Sequence, residues 1–296
     1  MKREKRMHRV FVLAAVFVIL AAICVWQNNS IVVSEHYYES LKVPGRFNGF
    51  RIVQVSDLHN KMFGESQSRL LDRVEGLDPD IIVVTGDLID RRKFNLEAAM
   101  CFINGAVEIA PVYYISGNHE AWSGKYDETI RSLSEVGVFV IDGSSIEVSK
   151  GQDSIRITGS PNPDLFSGSL TENGKYAILN KELNRLKQNE GLNILLAHHP
   201  ELFGIYSENG FDLTFAGHAH GGQFRIPFMG GLFAPDQGLF PEYSSGRYVK
   251  GNSTMIVSRG LGNSIFPIRI NNPPEIIVID LKVKDEKALS SEKSNS

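Results

Sequence analysis

The sequence predicts an α/β fold, a four-layer α/β/β/α sandwich of two mixed sheets flanked by helices, preceded by an N-terminal transmembrane helix. Three observations lead there. Between residues 51 and 136, apolar strand-like runs alternate with helix-like segments, the rhythm of a largely parallel sheet with covering helices. From residue 138 the pattern shifts to short strands broken by turn residues, then returns to apolar runs, which suits a second sheet better than one doubly wound sheet. Ahead of both stands an apolar stretch without a formal charge.

That stretch, residues 10–26 (VFVLAAVFVILAAICVW), follows a segment with Lys2, Arg3, Lys5, Arg6 and Arg9 against Glu4. Its 17 residues span roughly 25 Å at about 1.5 Å each, near the lower limit for crossing a bilayer. The positive-inside rule puts residues 1–9 in the cytoplasm and everything beyond residue 26 across the cell membrane. The alternative is a cleaved signal peptide and a secreted protein. No A-x-A site follows the apolar run, and Ile23 before Cys24 spoils a lipoprotein-type site, so a single-pass signal anchor is favoured.

A connector at 27–48 is expected to include an edge strand at 31–38. The main domain, set at 49–282, opens with a strand at 51–56 and a helix at 65–75 that carries Leu70, Leu71 and Val74 on one face. A buried-type strand at 81–85, a helix at 95–109, a strand at 112–115 and a helix at 127–136 follow. Segments 138–141, 146–148 and 154–158 resemble an antiparallel meander. Residues 180–188 suit a helix, and 193–197, 213–216, 254–258 and 275–281 suit strands. The polar end, 283–296, is expected to be a disordered tail.

At 296 residues the chain can bury a large core. Its net charge of −3 leaves −7 beyond residue 26, which gives no strong nucleic-acid signal. Cys24 lies in the apolar stretch and Cys101 in a helix, so no disulfide is expected.

Five apolar runs end in metal-ligand residues. They lead into Asp57 and His59; Gly86 and Asp87; Gly117, Asn118 and His119; His198 and His199; and Gly217, His218 and His220. A single such His is most simply a core residue with its hydrogen bond satisfied. Five clusters are not explained by packing, because buried carboxylates and imidazoles are costly unless paired or coordinated. The endings fall at the carboxyl ends of strands, where α/β sheets bind ligands. Oxygen and imidazole donors without thiolate suit divalent Mn, Zn or Fe. Asp57, His59, Asp87, Asn118, His198, His218 and His220 are too many for one tetrahedral ion, whereas two ions sharing Asp87 use them all. Such a pair activates water and clamps phosphoryl oxygens. Within Asp57-x-His59 and His218-x-His220, residues two apart on extended backbone point the same way. Gly86, Gly117 and Gly217 stand where the backbone must turn or approach closely.

In this order, Asp57-x-His59, Gly86-Asp87-x-x-Asp90, Gly117-Asn118-His119-Glu120, His198 and Gly217-His218-x-His220 resemble the motif series of the calcineurin-like metallophosphoesterases, over about residues 50–281. GHAHGGQ with an N-terminal membrane segment is similar to the membrane-associated bacterial subgroup of YkuE-type phosphodiesterases. The resemblance implies a first metal on Asp57, His59 and His220, a second on Asn118, His198 and His218, and Asp87 bridging both. It implies that a hydroxide held between the metals attacks phosphorus in line, with Asn118 helping to neutralise charge on the substrate. His119 would assist the leaving group, oriented and charged by Asp90; a neighbouring carboxylate favours the imidazolium. Arg91 is a substrate-binding candidate by the same resemblance, although DRRKF lacks the following Gly of the protein-phosphatase branch and suits a surface arginine.

Several residues have blander readings. His199 is expected to point away from the metals, His8 and His36 to be structural or exposed, Glu120 to cap a turn or support a ligand, and Gly221 and Gly222 to shape a turn or admit phosphate. The Phe-, Gly- and Pro-rich segment 224–243 is expected to pack its aromatics onto the sheet. The sharper reading is an apolar wall for a lipid-linked or cell-envelope phosphoester. A zinc protease would show H-E-x-x-H, which is absent. A nuclease or nucleotide phosphodiesterase on the same fold, or a non-catalytic metal-binding envelope protein, are the alternatives; the oligomeric state is not legible.

Overall fold

The computed structural model describes residues 2–284 except 167–169, 189 and 264–265, so most of the expected tail, 285–296, lies outside the described residues. The chain opens on α1 (Lys2–Asn29), whose part Lys5–Asn29 is long and apolar enough to cross a membrane; its apolar stretch is exposed, and its C-terminal end touches the rest of the molecule. Next come β1 (Val32–Ser40), β2 (Arg51–Val55), α2 (Ser68–Glu75), β3 (Ile81–Thr85), α3 (Leu96–Ile109), β4 (Val112–Ile115), α4 (Asn118–Trp122), α5 (Tyr126–Glu135) and β5 (Phe139–Val140). Strands β2 to β5 are parallel neighbours. Their side chains alternate across the sheet. Val53, Val55, Ile82 and Val84 pack under α2 and α3, while Ile52, Ile81 and Val83 face the other way.

The second half builds another sheet from β6 (Ser145–Lys150), β7 (Asp153–Gly159), α6 (Glu172–Leu186), β8 (Asn193–Leu196), α7 (Phe203–Glu208) and β9 (Leu213–Ala216). Two small hairpins follow, β10 (Arg225–Ile226) with β11 (Gly230–Gly231) and β12 (Phe233–Ala234) with β13 (Gly238–Leu239). Then come β14 (Gly246–Lys250) and β15 (Ser253–Val257). The sheet runs β14-β15-β9-β8-β7-β6, parallel inside and antiparallel at both edges. The last strand, β16 (Glu275–Val283), returns to the first sheet between β1 and β2.

Ile194, Leu196, Leu213 and Phe215 meet Ile52, Val83 and Ile115 between the sheets, and Leu195 and Met255 meet Leu183 and Phe203 beneath the outer helices. The result is the four-layer sandwich, with both sheets mixed. Three details differ from the sequence reading. Residues 139–140 extend the first sheet parallel to β4 instead of joining a meander, because the turn at 142–144 carries the chain to the other layer. Helix α6 starts at Glu172, where the Thr171 hydroxyl accepts from Gly174 N–H and caps it. Segment 224–243 holds the two hairpins and leaves Phe228, Leu239 and Phe240 exposed rather than packed on the sheet.

Candidate metal centre

The carboxyl ends of β2, β3 and β4 in one sheet and of β8 and β9 in the other converge, and every expected ligand lies just beyond one of them, buried. The Asp-x-His and His-x-His pairs do not sit on extended backbone. Asp57, His59, Asp87, His218 and His220 all have positive φ, between 47° and 65°. Non-glycine residues held there cost on the order of 1–3 kcal/mol each and persist only when their surroundings fix them. Here backbone bonds from Asp57 N–H to the Gly86 carbonyl and from His59 N–H to the Asp87 carbonyl, both 3.0 Å, do so. Glycine permits the crowding. Gly86 has φ +88°, and a Cβ at Gly217 would lie 2.1 Å from Ser56 Oγ.

Two donor groups result. In the first, His59 Nε2 stands 3.0 Å from His220 Nε2 and 3.5 Å from Asp87 Oδ2, and His220 Nε2 is 3.6 Å from Asp57 Oδ1. In the second, His198 Nε2 lies 3.0 Å from Asn118 Oδ1, 3.2 Å from His218 Nδ1 and 3.4 Å from Asp87 Oδ2. Ligands about 2.0–2.2 Å from a tetrahedral ion stand roughly 3.3–3.6 Å apart. Facing imidazole nitrogens also need a proton or a cation between them. The donor set therefore fits divalent metal at both groups, with Asp87 Oδ2 belonging to each.

Hydrogen bonds assign ring tautomers. His198 Nδ1 donates to the Thr85 carbonyl at 2.8 Å and His218 Nε2 to Asp236 Oδ2 at 2.9 Å, which leaves His198 Nε2 and His218 Nδ1 with lone pairs toward the centre. Burial pushes His59 down to about 3 and His220 well below the ordinary imidazole range, so both are neutral, the ligating form. Burial opposes ionisation of Asp87, but the charge and hydrogen bond of His198, then His59, outweigh it and hold the carboxyl well below its usual value. Burial likewise disfavours a charged His198, but Asp87 overrides it to about 9, so the lone pair on Nε2 is freed only when a cation displaces that proton.

His119 is buried beside this centre, its ring 4.4 Å from that of His59. Arg91 N–H donates to His119 Nδ1 at 3.2 Å, so a neutral ring carries its proton on Nε2. Asp90 lies 3.6 Å from Nδ1, beyond a hydrogen bond, and accepts instead from the backbone, Nε and Nη2 of Arg92. Burial lowers the pKa of His119 although Asp87 and Asp90 both raise it, so the carboxylates do not make it a strong cation. Arg91 is exposed, stacks on Trp122 at 4.5 Å and lines a cavity of about 200 Å³ with Asp87, Asn118, His119 and Phe233.

Glu120 supports ligands, accepting from the N–H groups of Asp87, Gly117 and Ile89. Gly221 and Gly222, both at positive φ, turn the chain after His220. His8 and His36 belong to neither group. His199 is buried between Glu201, 2.9 Å, and Asp164, 3.3 Å, which raise it to about 10 against burial. The sequence reading missed Asp236 and Arg269. Asp236 sits in the Phe-rich segment with nothing local to mark it. Fully buried Arg269 places Nη2 3.3 Å from His220 Nδ1, and only long-range folding brings it there.

Residues 50–222 match the family model described as calcineurin-like phosphoesterase. The chain is 30% identical over 254 residues to the metallophosphoesterase YkuE of Bacillus subtilis (strain 168), covering 84% of this chain and 85% of that one. It is 29% identical over 250 residues to a transmembrane protein with metallophosphoesterase domain from Danio rerio, covering 81% of this chain and 55% of that one. With the phosphodiesterase YaeI of Escherichia coli (strain K12) it shares 26% identity over 238 residues, 78% of this chain and 82% of that one.

Proposed function

The chain belongs to the calcineurin-like phosphoesterase family, a group of hydrolases acting on phosphoric esters, and we propose that it cleaves phosphoester bonds at a two-metal centre tethered to a membrane by α1. The observation that carries this reading is Asp87 Oδ2, shared between an Asp57–His59–His220 group and an Asn118–His198–His218 group. Two divalent cations held there, of the Mn, Zn or Fe class, would supply an activated water and neutralise phosphoryl charge. The protein's own residues do the rest. Asn118, which lines the cavity, presents an amide to a phosphoryl oxygen as well as to the second group. His119, with Nδ1 satisfied by Arg91 N–H, offers Nε2–H to the departing oxygen. Asp90 fixes the 90–92 turn through Arg92 and adds negative charge 3.6 Å from that ring. Arg91, braced on Trp122, gives the cavity a cation for the substrate's anionic group.

The domain divisions belong to the same proposal. Residues 1–9 face the cytoplasm, 10–26 cross the membrane, and the domain from the connector onward works on the far side; it runs at least to Val283, because β16 carries that residue into the sheet, one beyond the expected domain end at 282. A phosphodiesterase and a transmembrane protein among the relatives support a diester substrate near a membrane, and the proposal extends to monoesters and lipid-linked esters. The test is hydrolysis of an aryl phosphodiester and an aryl phosphomonoester by the detergent-solubilised full chain, with and without added Mn or Zn. Turnover that needs the metal on either ester is the expected result. No turnover of any phosphoester across a panel of phospholipids, lipid-linked sugar phosphates and nucleotides would sink the reading.

A further inference from the structure

The C-terminal end of α1 is not a free tether. Asn28 exchanges two hydrogen bonds with the backbone of Arg269, 3.0 and 2.8 Å, and Gln27 accepts from Asn271 N–H at 3.1 Å. The same segment, a strap of residues 267–272, braces the candidate metal centre, since Arg269 reaches His220 Nδ1 and Asn272 donates to the His220 carbonyl at 2.7 Å. From the strap a backbone ladder runs outward. Arg225 N–H donates to the Ile270 carbonyl, Leu232 N–H to Phe224, and Phe240 N–H to Leu232, at 3.0, 2.8 and 2.9 Å.

Every rung displays apolar side chains to the outside. Ile268 and Ile270 do so on the strap, Phe228 and Met229 at the tip of the first hairpin, and Leu239 and Phe240 on the second, at exposures of 42% to complete. Phe228 and Phe240 have φ of +67° and +54°, an uncommon and strained state for bulky residues, which points to function rather than accident. Exposed apolar patches of this kind mark interaction sites. The second hairpin also supplies Phe233 and Pro235 to the cavity wall, so the face borders the mouth of the metal centre.

We propose that this face seats on the lipid bilayer that α1 enters, and that it holds the cavity mouth at the headgroup layer, where a lipid phosphoester can reach it without leaving the membrane. The occupant follows from continuity. Pro267 and Ile268 line one cleft with Cys24 and Val25 of the apolar helix, beside Asn28, Asn29, Lys61 and Asn263, so the patch begins where the helix's lipid-facing surface gives way to groups that suit the headgroup layer. The proposal rests on the anchoring reading above.

The test uses the full chain in lipid nanodiscs, in a Cys24→Ser, Cys101→Ser background, with an environment-sensitive fluorophore on Met229→Cys. The control is Ser149→Cys on β6, opposite Ser154 at the entry of β7 and so at the strand ends away from the metals. Quenching by doxyl phosphatidylcholine at 229 and none at 149 is expected. Equal exposure at both positions, in protein that stays with the nanodisc, overturns the seat alone. Protein that does not partition with lipid at all overturns the anchor instead. A probe at 229 shielded from water but unquenched by doxyl lipid means that a second copy covers the face, and also overturns the proposal. As a second readout, Phe228→Asp with Phe240→Asp is expected to lower turnover of a bilayer-embedded phosphoester roughly tenfold while sparing a soluble aryl ester. Equal effects on both substrates count against the seat.

Discussion

Asp87 Oδ2 lies 3.5 Å from His59 Nε2 and 3.4 Å from His198 Nε2, so one atom couples the two donor groups. Asp87→Asn removes that charge, and both metal loading, read by elemental analysis, and phosphoester turnover should vanish together. His119 contributes no atom to either group's expected ligand set. His119→Ala should therefore keep the metal while turnover falls by about a hundred- to ten-thousand-fold; loss of metal in this variant would remove His119 from the role of proton donor. Asp236 acts through His218, whose Nε2–H it accepts at 2.9 Å. Asp236→Asn should weaken metal affinity by about 10–100-fold, measured by titration with a chromogenic chelator. The members of the two donor groups were legible in the sequence because each follows an apolar strand. Asp236 and Arg269 were not: Asp236 follows a strand of only two residues, too short to read from sequence, and no local pattern distinguishes either from surface residues.

At the scale of elements, the centre depends on tight turns after strands rather than on the strands alone. A Cβ on Gly217 would lie 2.1 Å from Ser56 Oγ and 2.5 Å from Asp57 Oδ2, so β9 could not keep its approach to β2. Gly217→Ala should cost about 1–3 kcal/mol, seen as a lower melting temperature, and should loosen metal binding as well. Strand periodicity and glycine placement predicted these turns, but not their left-handed ligands. Bonds from other segments hold the positive φ of these residues: Asp57 is tied to Gly86 and Gly262, His59 to Asp87, and the His220 carbonyl accepts from Asn272. The partner of 139–140 was equally hidden. A two-residue strand carries too little pattern to say which sheet it joins, and contact with β4 decided it.

Across the whole molecule, the metal centre ties two sheets together, because its first group draws on β2, β3 and β9 and its second on β3, β4, β8 and β9. Cation binding should therefore stabilise the fold globally. At free metal about 1,000 times the dissociation constant the gain approaches 4 kcal/mol, and a chelator should reverse it in a thermal melt. An unchanged melting temperature on chelation would mean that the two sheets hold their register without the ions. The sequence by itself determined the alternation of strands and helices, the apolar N-terminal helix and the residues that supply the donor groups, since each is written in local periodicity or at strand ends. Only the tertiary structure decided which donors stand together, that Arg92 rather than His119 takes the Asp90 carboxylate, and that the helix end is bonded to the strap behind His220. Those outcomes depend on contacts between segments far apart in the chain, and no local pattern of residues encodes a distance across two sheets.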